Sequence, residues 1–102
     1  MSSDKLLGML GLAARARKII TGTELVTEKI KSGKRVELVL IAADVSQNTL
    51  KKIVNCCDFY EQKYIHLQFT RDEISRAVGK SCLISAVAII DRNFSDAIKK
   101  LV

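Results

Sequence analysis

At 102 residues, 48% hydrophobic and 27% charged, the chain can bury roughly two thirds of its unfolded surface in one core but is cramped for two, so a single domain over residues 1–102 is expected. Apolar residues recur along the whole length, which excludes disorder, and the longest apolar stretch, Cys82 to Ile90, is far too short to span a bilayer. The net charge of +6 is uneven, +5 over residues 1–35 (eight Lys/Arg, three acids), −1 over 36–69 and +2 over 70–102; such a field suits a polyanion, most often nucleic acid, although a merely basic surface fits the charge about as well.

The first helix is predicted to begin after Ser3 or Asp4, either of which can cap it. Leu6, Leu7, Leu10 and Ala14 form its apolar face, Gly8 and Gly11 permit close packing, and it ends near Arg17. A short strand over Lys18 to Ile20 follows. A second helix opens after Gly22-Thr23, turns Leu25, Val26 and Ile30 inward, and stops at Gly33, where a left-handed residue is usual. "VELVLIAA", residues 36–43, is Val/Leu-rich and almost continuously apolar, as in a strand buried on both faces.

The next helix takes Ser46 or Asn48 as its cap and buries Leu50, Ile53, Val54 and Cys57, spaced i, i+3, i+4, i+7. "YIHLQF", residues 64–69, alternates as a strand does. Thr70 and Glu73 form a capping box before a short helix that buries Ile74, Ala77 and Val78 and ends at Gly79. "LISAVAII" reads as another buried strand. "DRNFSDAIKKLV" closes the series as a helix with Phe94, Ala97, Ile98 and Leu101 on one face and Lys99 and Lys100 in its last turn. After the first helix, strand and helix alternate. That order predicts an α/β protein, a three-layer α-β-α sandwich around about four strands.

Gly79-Lys80-Ser81 spells the end of a phosphate-binding loop, but Ile74 stands where G-x-x-x-x-G-K-[ST] needs its first glycine. The elements are also in the wrong order, since a helix precedes and a strand follows. Gly22-Thr23 does lead into a helix. Its backbone amides can meet phosphate, helped by Arg15, Arg17 and Lys18 just upstream; the plain alternative is a helix start capped by Thr23. Cys56, Cys57 and Cys82 form no C-x-x-C pair, His66 is the sole histidine, and neither a metal site nor a cofactor is expected. Buried thiols in a reducing cytosol are the simplest reading. Asp4 comes early and the Arg/Lys cluster late, the reverse of a secretory signal, so a soluble cytoplasmic protein is expected. Asp44 ends a strand with no identifiable partner, and no catalytic set emerges.

"GLAARARKIITGTELV", "LVLIAADVSQNT" and "EISRAVGKSCLISAVAII" follow one another so that essentially the whole chain resembles the kink-turn RNA-binding ribosomal protein family, whose namesake is large-subunit protein "L seven Ae". The opening stretch and "ELVTEKIKSGK" look most like its bacterial YlxQ-like branch. The resemblance implies a mixed four-stranded sheet and a non-enzymatic protein that binds structured RNA, ribosomal or kink-turn, on or off the ribosome. It implies no small-molecule substrate and no membrane, and a monomer is expected.

In that family the second helix carries G-x-N-E-x-x-K, whose polar side chains read guanine edges. Here Gly22 is present, while Glu24, Leu25 and Glu28 stand at the Asn, Glu and Lys positions. Lys29 is one residue out of register, a rotation of about 100° on a helix. The family's contact loop falls on Lys80, Ser81 and Cys82. Arg71 matches a position often basic, Arg76 lies about one turn further on the same helix, and Ser46 falls in the turn after Asp44. The RNA face implied is Arg15, Arg17, Lys18, Gly22, Thr23, Glu24, Lys29, Ser46, Arg71, Arg76, Lys80, Ser81 and Cys82. The rival reading is a protein–protein adaptor on the same fold that has lost kink-turn recognition.

Overall fold

The computed structural model describes residues 2–102, with side chains from Lys5 onward. Its elements run α1 (Ser2–Arg15), β1 (Ile19–Thr21), α2 (Thr23–Lys31), β2 (Leu38–Ile41), α3 (Gln47–Phe59), β3 (Tyr64–His66), α4 (Arg71–Val78), β4 (Ala86–Ile89) and α5 (Arg92–Lys99). The four strands form one mixed sheet in the order β1-β4-β2-β3. β4 pairs antiparallel with both β1 and β2, and β2 pairs parallel with β3.

Helices cover both faces, so this is the α-β-α sandwich. Because side chains alternate along a strand, β2 and β4 each feed two cores. Leu38, Leu40, Val87 and Ile89 face α1, α4 and α5, where Leu6, Leu10, Ile74, Val78 and Ile98 meet them. Val39, Ile41, Ala86 and Ala88 face α2 and α3, against Val26, Ile30, Ile53 and Cys57. The register places Leu38 opposite Ile89 and Leu40 opposite Val87 on one face, Val39 opposite Ala88 and Ile41 opposite Ala86 on the other. The two alanines lower the second face and let α2 lie close upon β4.

The helix signals act as their chemistry requires. Ser46 caps α3 by accepting the Thr49 amide at 3.1 Å. Thr70 and Glu73 complete the reciprocal box of α4 at 3.2 and 2.9 Å, and Gly79 ends that helix at φ 76°. Gly11 lets α1 approach α4, since a Cβ there would stand 2.9 Å from the Ala77 carbonyl oxygen.

Several expectations need correction. Leu25 points to solvent, 58% exposed, because α2 turns Val26, Thr27 and Ile30 inward and its neighbour falls off that stripe. Thr23 is the first helical residue rather than the cap; Gly22 holds the cap position and no side chain caps it. The strands are shorter than their apolar runs: residues 42–43, 67–69 and 83–85 leave the ladder, as the chain turns into loops. Cys82 is exposed, unlike Cys56 and Cys57. α1 already includes Ser3 and Asp4, whose side chains lie outside the described residues. Among the described residues, no helix is long and apolar enough to cross a membrane, and no group of three His, Cys, Asp or Glu could hold a metal ion.

Candidate nucleic-acid interface

Four loops meet at one edge of the sheet, where β1, β2 and β3 end and β4 begins. Backbone bonds tie them together. The Gly22 amide donates to the Ala86 carbonyl at 3.0 Å, Ala42 to Ser85 at 2.9 Å, Ala43 to Phe69 at 2.7 Å and Ile84 to Arg71 at 3.4 Å. This edge therefore presents the amino end of α2, the amino end of α3, the start of α4 and the loop from Gly79 to Ser85 side by side.

Asp44 supplies the bracket between two of them. Its Oδ1 accepts the Arg71 amide at 2.8 Å and its Oδ2 lies 3.4 Å from Arg71 Nε. The Arg71 amide, with the guanidinium behind it, holds the Asp44 carboxyl below the usual carboxylate range. The partner missing from the sequence reading is thus Arg71, 27 residues away. Arg71 itself is partly committed to this contact and half-buried.

Ser75 does comparable work for the next loop. It is 3% exposed, and its hydroxyl lies 2.8 Å from the Lys80 carbonyl and 2.5 Å from the Cys82 carbonyl, so its one proton is shared between them. The Lys80 amide returns to the Ser75 carbonyl at 2.9 Å. Pinned by its carbonyls, the loop leaves the side chains of Lys80, Ser81, Cys82 and Leu83 exposed. A signal for Ser75 was present: with Arg71, Ile74 and Val78 it completes an i, i+3, i+4, i+7 stripe, so a helix this short turns it inward.

The amino end of α2 differs from its neighbours. Ser46, Thr70 and Asp91 cap α3, α4 and α5, whereas Gly22 has no side chain to offer and takes φ 99°. The leading amides of α2 have no intrahelical acceptor and carry the positive end of the helix dipole. Glu24 does not reach out freely: its Oε1 accepts from Lys52 Nζ at 2.6 Å, a contact that lowers its pKa and ties α2 to α3.

The remaining expected residues are placed variously. Thr23 stands beside Gly22, its carbonyl accepting from Thr27 Oγ1 at 2.9 Å. The Ser46 hydroxyl is used by Thr49. Lys29 lies in the last turn of α2, about 10 Å along the axis from Gly22. Arg76 pairs with Asp72 at 3.0 Å and, with Arg15 and Glu73, lines a shallow cleft of about 430 Å³ between α1 and α4. Arg17 and Lys18 lie at the opposite end of β1 from Gly22, for the Lys18 carbonyl accepts the Ile90 amide. The edge thus gathers Gly22, Thr23, Glu24, Ser46, Arg71, Lys80, Ser81 and Cys82; Arg76, whose carbonyl accepts the Gly79 amide at 3.3 Å, lines the cleft beside it with Arg15, and Arg17, Lys18 and Lys29 stand apart.

Burial pushes the Cys57 thiol up to about 12, and His66 Nε2 lies 3.1 Å from the Ala42 carbonyl.

The chain is 36% identical over 101 residues to the RNA-binding protein YlxQ of Bacillus subtilis (strain 168), covering 99% of this chain and 98% of that one. It is 36% identical over 99 residues to the RNA-binding protein YlxQ of Enterococcus faecium, covering 97% and 92%. The solved structure of a Bacillus halodurans C protein of unknown function superposes with a TM-score of 0.81 at 34% identity, over 95% of each chain. The Giardia lamblia 15.5kD RNA binding protein shares the fold, with a TM-score of 0.73 at 20% identity over 99% of this chain and 90% of that one. Residues 4–99 match as a unit, and the chain belongs to the Ribosomal protein L7Ae/L30e/S12e/Gadd45 family.

Proposed function

We propose that the chain is a non-enzymatic RNA-binding protein, acting as a one-domain monomer in the cytoplasm on structured RNA, ribosomal or kink-turn. The observation that carries this reading is the sheet edge where the uncapped start of α2 stands beside the pinned Lys80–Cys82 loop. Uncapped amides and an exposed lysine suit phosphate. Small side chains at Ser81 and Cys82 let the loop backbone come close to a splayed base, and exposed Leu83 offers it apolar contact. The relatives named for RNA binding support the same reading.

With Glu24 turned to Lys52 and Leu25 at the family's Glu position, shape and backbone take a larger share of recognition than base-edge hydrogen bonds on α2. Leu25 and Leu83, more than half exposed, favour the adaptor as a second reading.

Filter binding of a kink-turn RNA and of a ribosomal RNA fragment between 50 and 200 mM salt tests the proposal. Each neutralised phosphate contributes about 0.9 to the slope of log K against log salt. Lys80→Glu should weaken binding at least about eightfold at 0.1 M salt, tenfold raised to that slope. No binding of either RNA at 50 mM salt, together with purified protein showing no 260 nm absorbance beyond its own, would leave the adaptor reading in its place.

A further inference from the structure

Arg15, Arg17 and Lys18 are exposed and make no ion pair among the described residues. They stand at the turn between α1 and β1. The loop edge begins at the other end of β1, at Gly22, four residues on, or about 13 Å at ~3.3 Å per residue. β1 is an outer strand of the sheet, unpaired on one side, so both positions lie along one border of the molecule. Arg15 extends the cluster into the cleft between α1 and α4, where Arg76 faces it.

We infer that this cluster is a second phosphate contact, separate from the loop edge, that takes the backbone of a helical stem flanking the RNA element held there. The inference rests on the RNA-binding reading above. An A-form RNA stem advances somewhat less per base pair than the ~3.4 Å of B-form DNA, so about 13 Å corresponds to a stem of roughly four to five base pairs. A shorter stem reaches the loop edge alone; a longer one lies along β1 and meets the arginines. The carboxyl end of α1 also favours cations, but a dipole needs no more than one or two, and it does not depend on what RNA is present.

Arg17 makes the test clean. Its backbone is left-handed, φ 59°, in the position after a helix where glycine is preferred. Its amide donates to the Ala14 carbonyl at 3.0 Å and the Lys18 amide to Ala13 at 2.9 Å, the paired closure typical of such ends. Glu61 adopts the same backbone after α3, so the conformation itself is not the signal; the charge cluster is. Arg17→Gly removes the charge while easing the backbone.

The measurement pairs two kink-turn RNAs, one with its flanking stem cut to about two base pairs and one with about eight, short of and beyond that span. Arg17→Gly should raise the melting temperature of the free protein by about 4 °C. It should weaken the long RNA about eightfold at 0.1 M salt, flatten its salt slope by about 0.9, and leave the short RNA unchanged. Arg17→Lys should restore most of the affinity. Unchanged affinity for the long RNA overturns the second contact while leaving the loop edge intact. An equal loss on both RNAs also overturns it, by placing Arg17 in the first footprint. If the unaltered protein binds neither RNA at 50 mM salt, kink-turn binding falls, whatever the ribosomal RNA fragment does, and this inference falls with it.

Discussion

Ser75→Ala isolates the fastening of the Lys80–Cys82 loop. The substitution removes one proton shared by two carbonyls, at 2.8 and 2.5 Å. A lost hydrogen bond costs about 1 kcal/mol net, and a stranded buried acceptor about 1–3 more. Lys80 and Cys82 belong to an exposed loop, so water can reach their carbonyls and the second cost falls to its lower end. A total of about 1–2 kcal/mol follows, or a melting temperature lower by about 5–10 °C for a chain of this size. Alanine keeps the helix and fills nearly the same volume, so packing contributes little. Thermal melting and hydrogen exchange should be read together: the hydrogen-bonded loop amides of Lys80 and Ile84 should exchange faster, while those of β2 and β4 change only with the global stability. RNA affinity should fall as the loop must be ordered on binding. A melting temperature within 1 °C of the parent, with unchanged exchange at Lys80 and Ile84, would show that the backbone bond from the Lys80 amide to Ser75 suffices and that the hydroxyl is idle.

The two α1 glycines separate cleanly: Gly11→Ala should destabilise by about 1–3 kcal/mol, because the new Cβ meets the Ala77 carbonyl oxygen at 2.9 Å, while Gly8→Ala, with nothing within 4 Å, should stabilise by about 0.5–1 kcal/mol; urea titrations of both decide it. Asp44 has a folded pKa below its ordinary 3.8, so its contribution is complete above the unfolded value and is lost as pH falls through the folded one. Stability of Asp44→Asn should therefore vary less with pH below about 4 than that of the parent, as measured by urea midpoints across that range; parallel curves would remove the Asp44–Arg71 bracket as the cause.

Elements with a local chemical signature were legible in the sequence. Thr70 with Glu73, Ser46, Gly79 and the continuous apolar runs of β2 and β4 each stated their role within a few residues, because caps and strand burial depend on near neighbours. The resemblance across the chain extended that to the family and to the order of the layers. What escaped depended on distance in the chain. Asp44 meets Arg71 and Glu24 meets Lys52 across 27 and 28 residues, and nothing local marks such pairs. Leu25 was misplaced because an apolar residue beside Val26 looks equally able to face inward; only the docking of α2 on β4 decides which of the two is covered. The basic run from Arg15 to Lys18 reads as one feature with Gly22, yet a three-residue strand lies between them and carries them to opposite ends of the sheet.

β4 stands at the centre of the sheet and is the last of the four strands to be synthesised. β1 and β2 do not touch each other; each pairs with β4. Until residues 86–89 exist, β1 has no strand to pair with, both cores lack a wall, and only the parallel β2–β3 pair can form. At about 5–20 residues per second, a ribosome spends several seconds with α1, β1 and α2 made and their apolar faces uncovered. Folding of this domain then waits on residues 86–89, and a pause in synthesis between β2 and β4 lengthens the period in which the strands that flank β4 are free to pair with another chain.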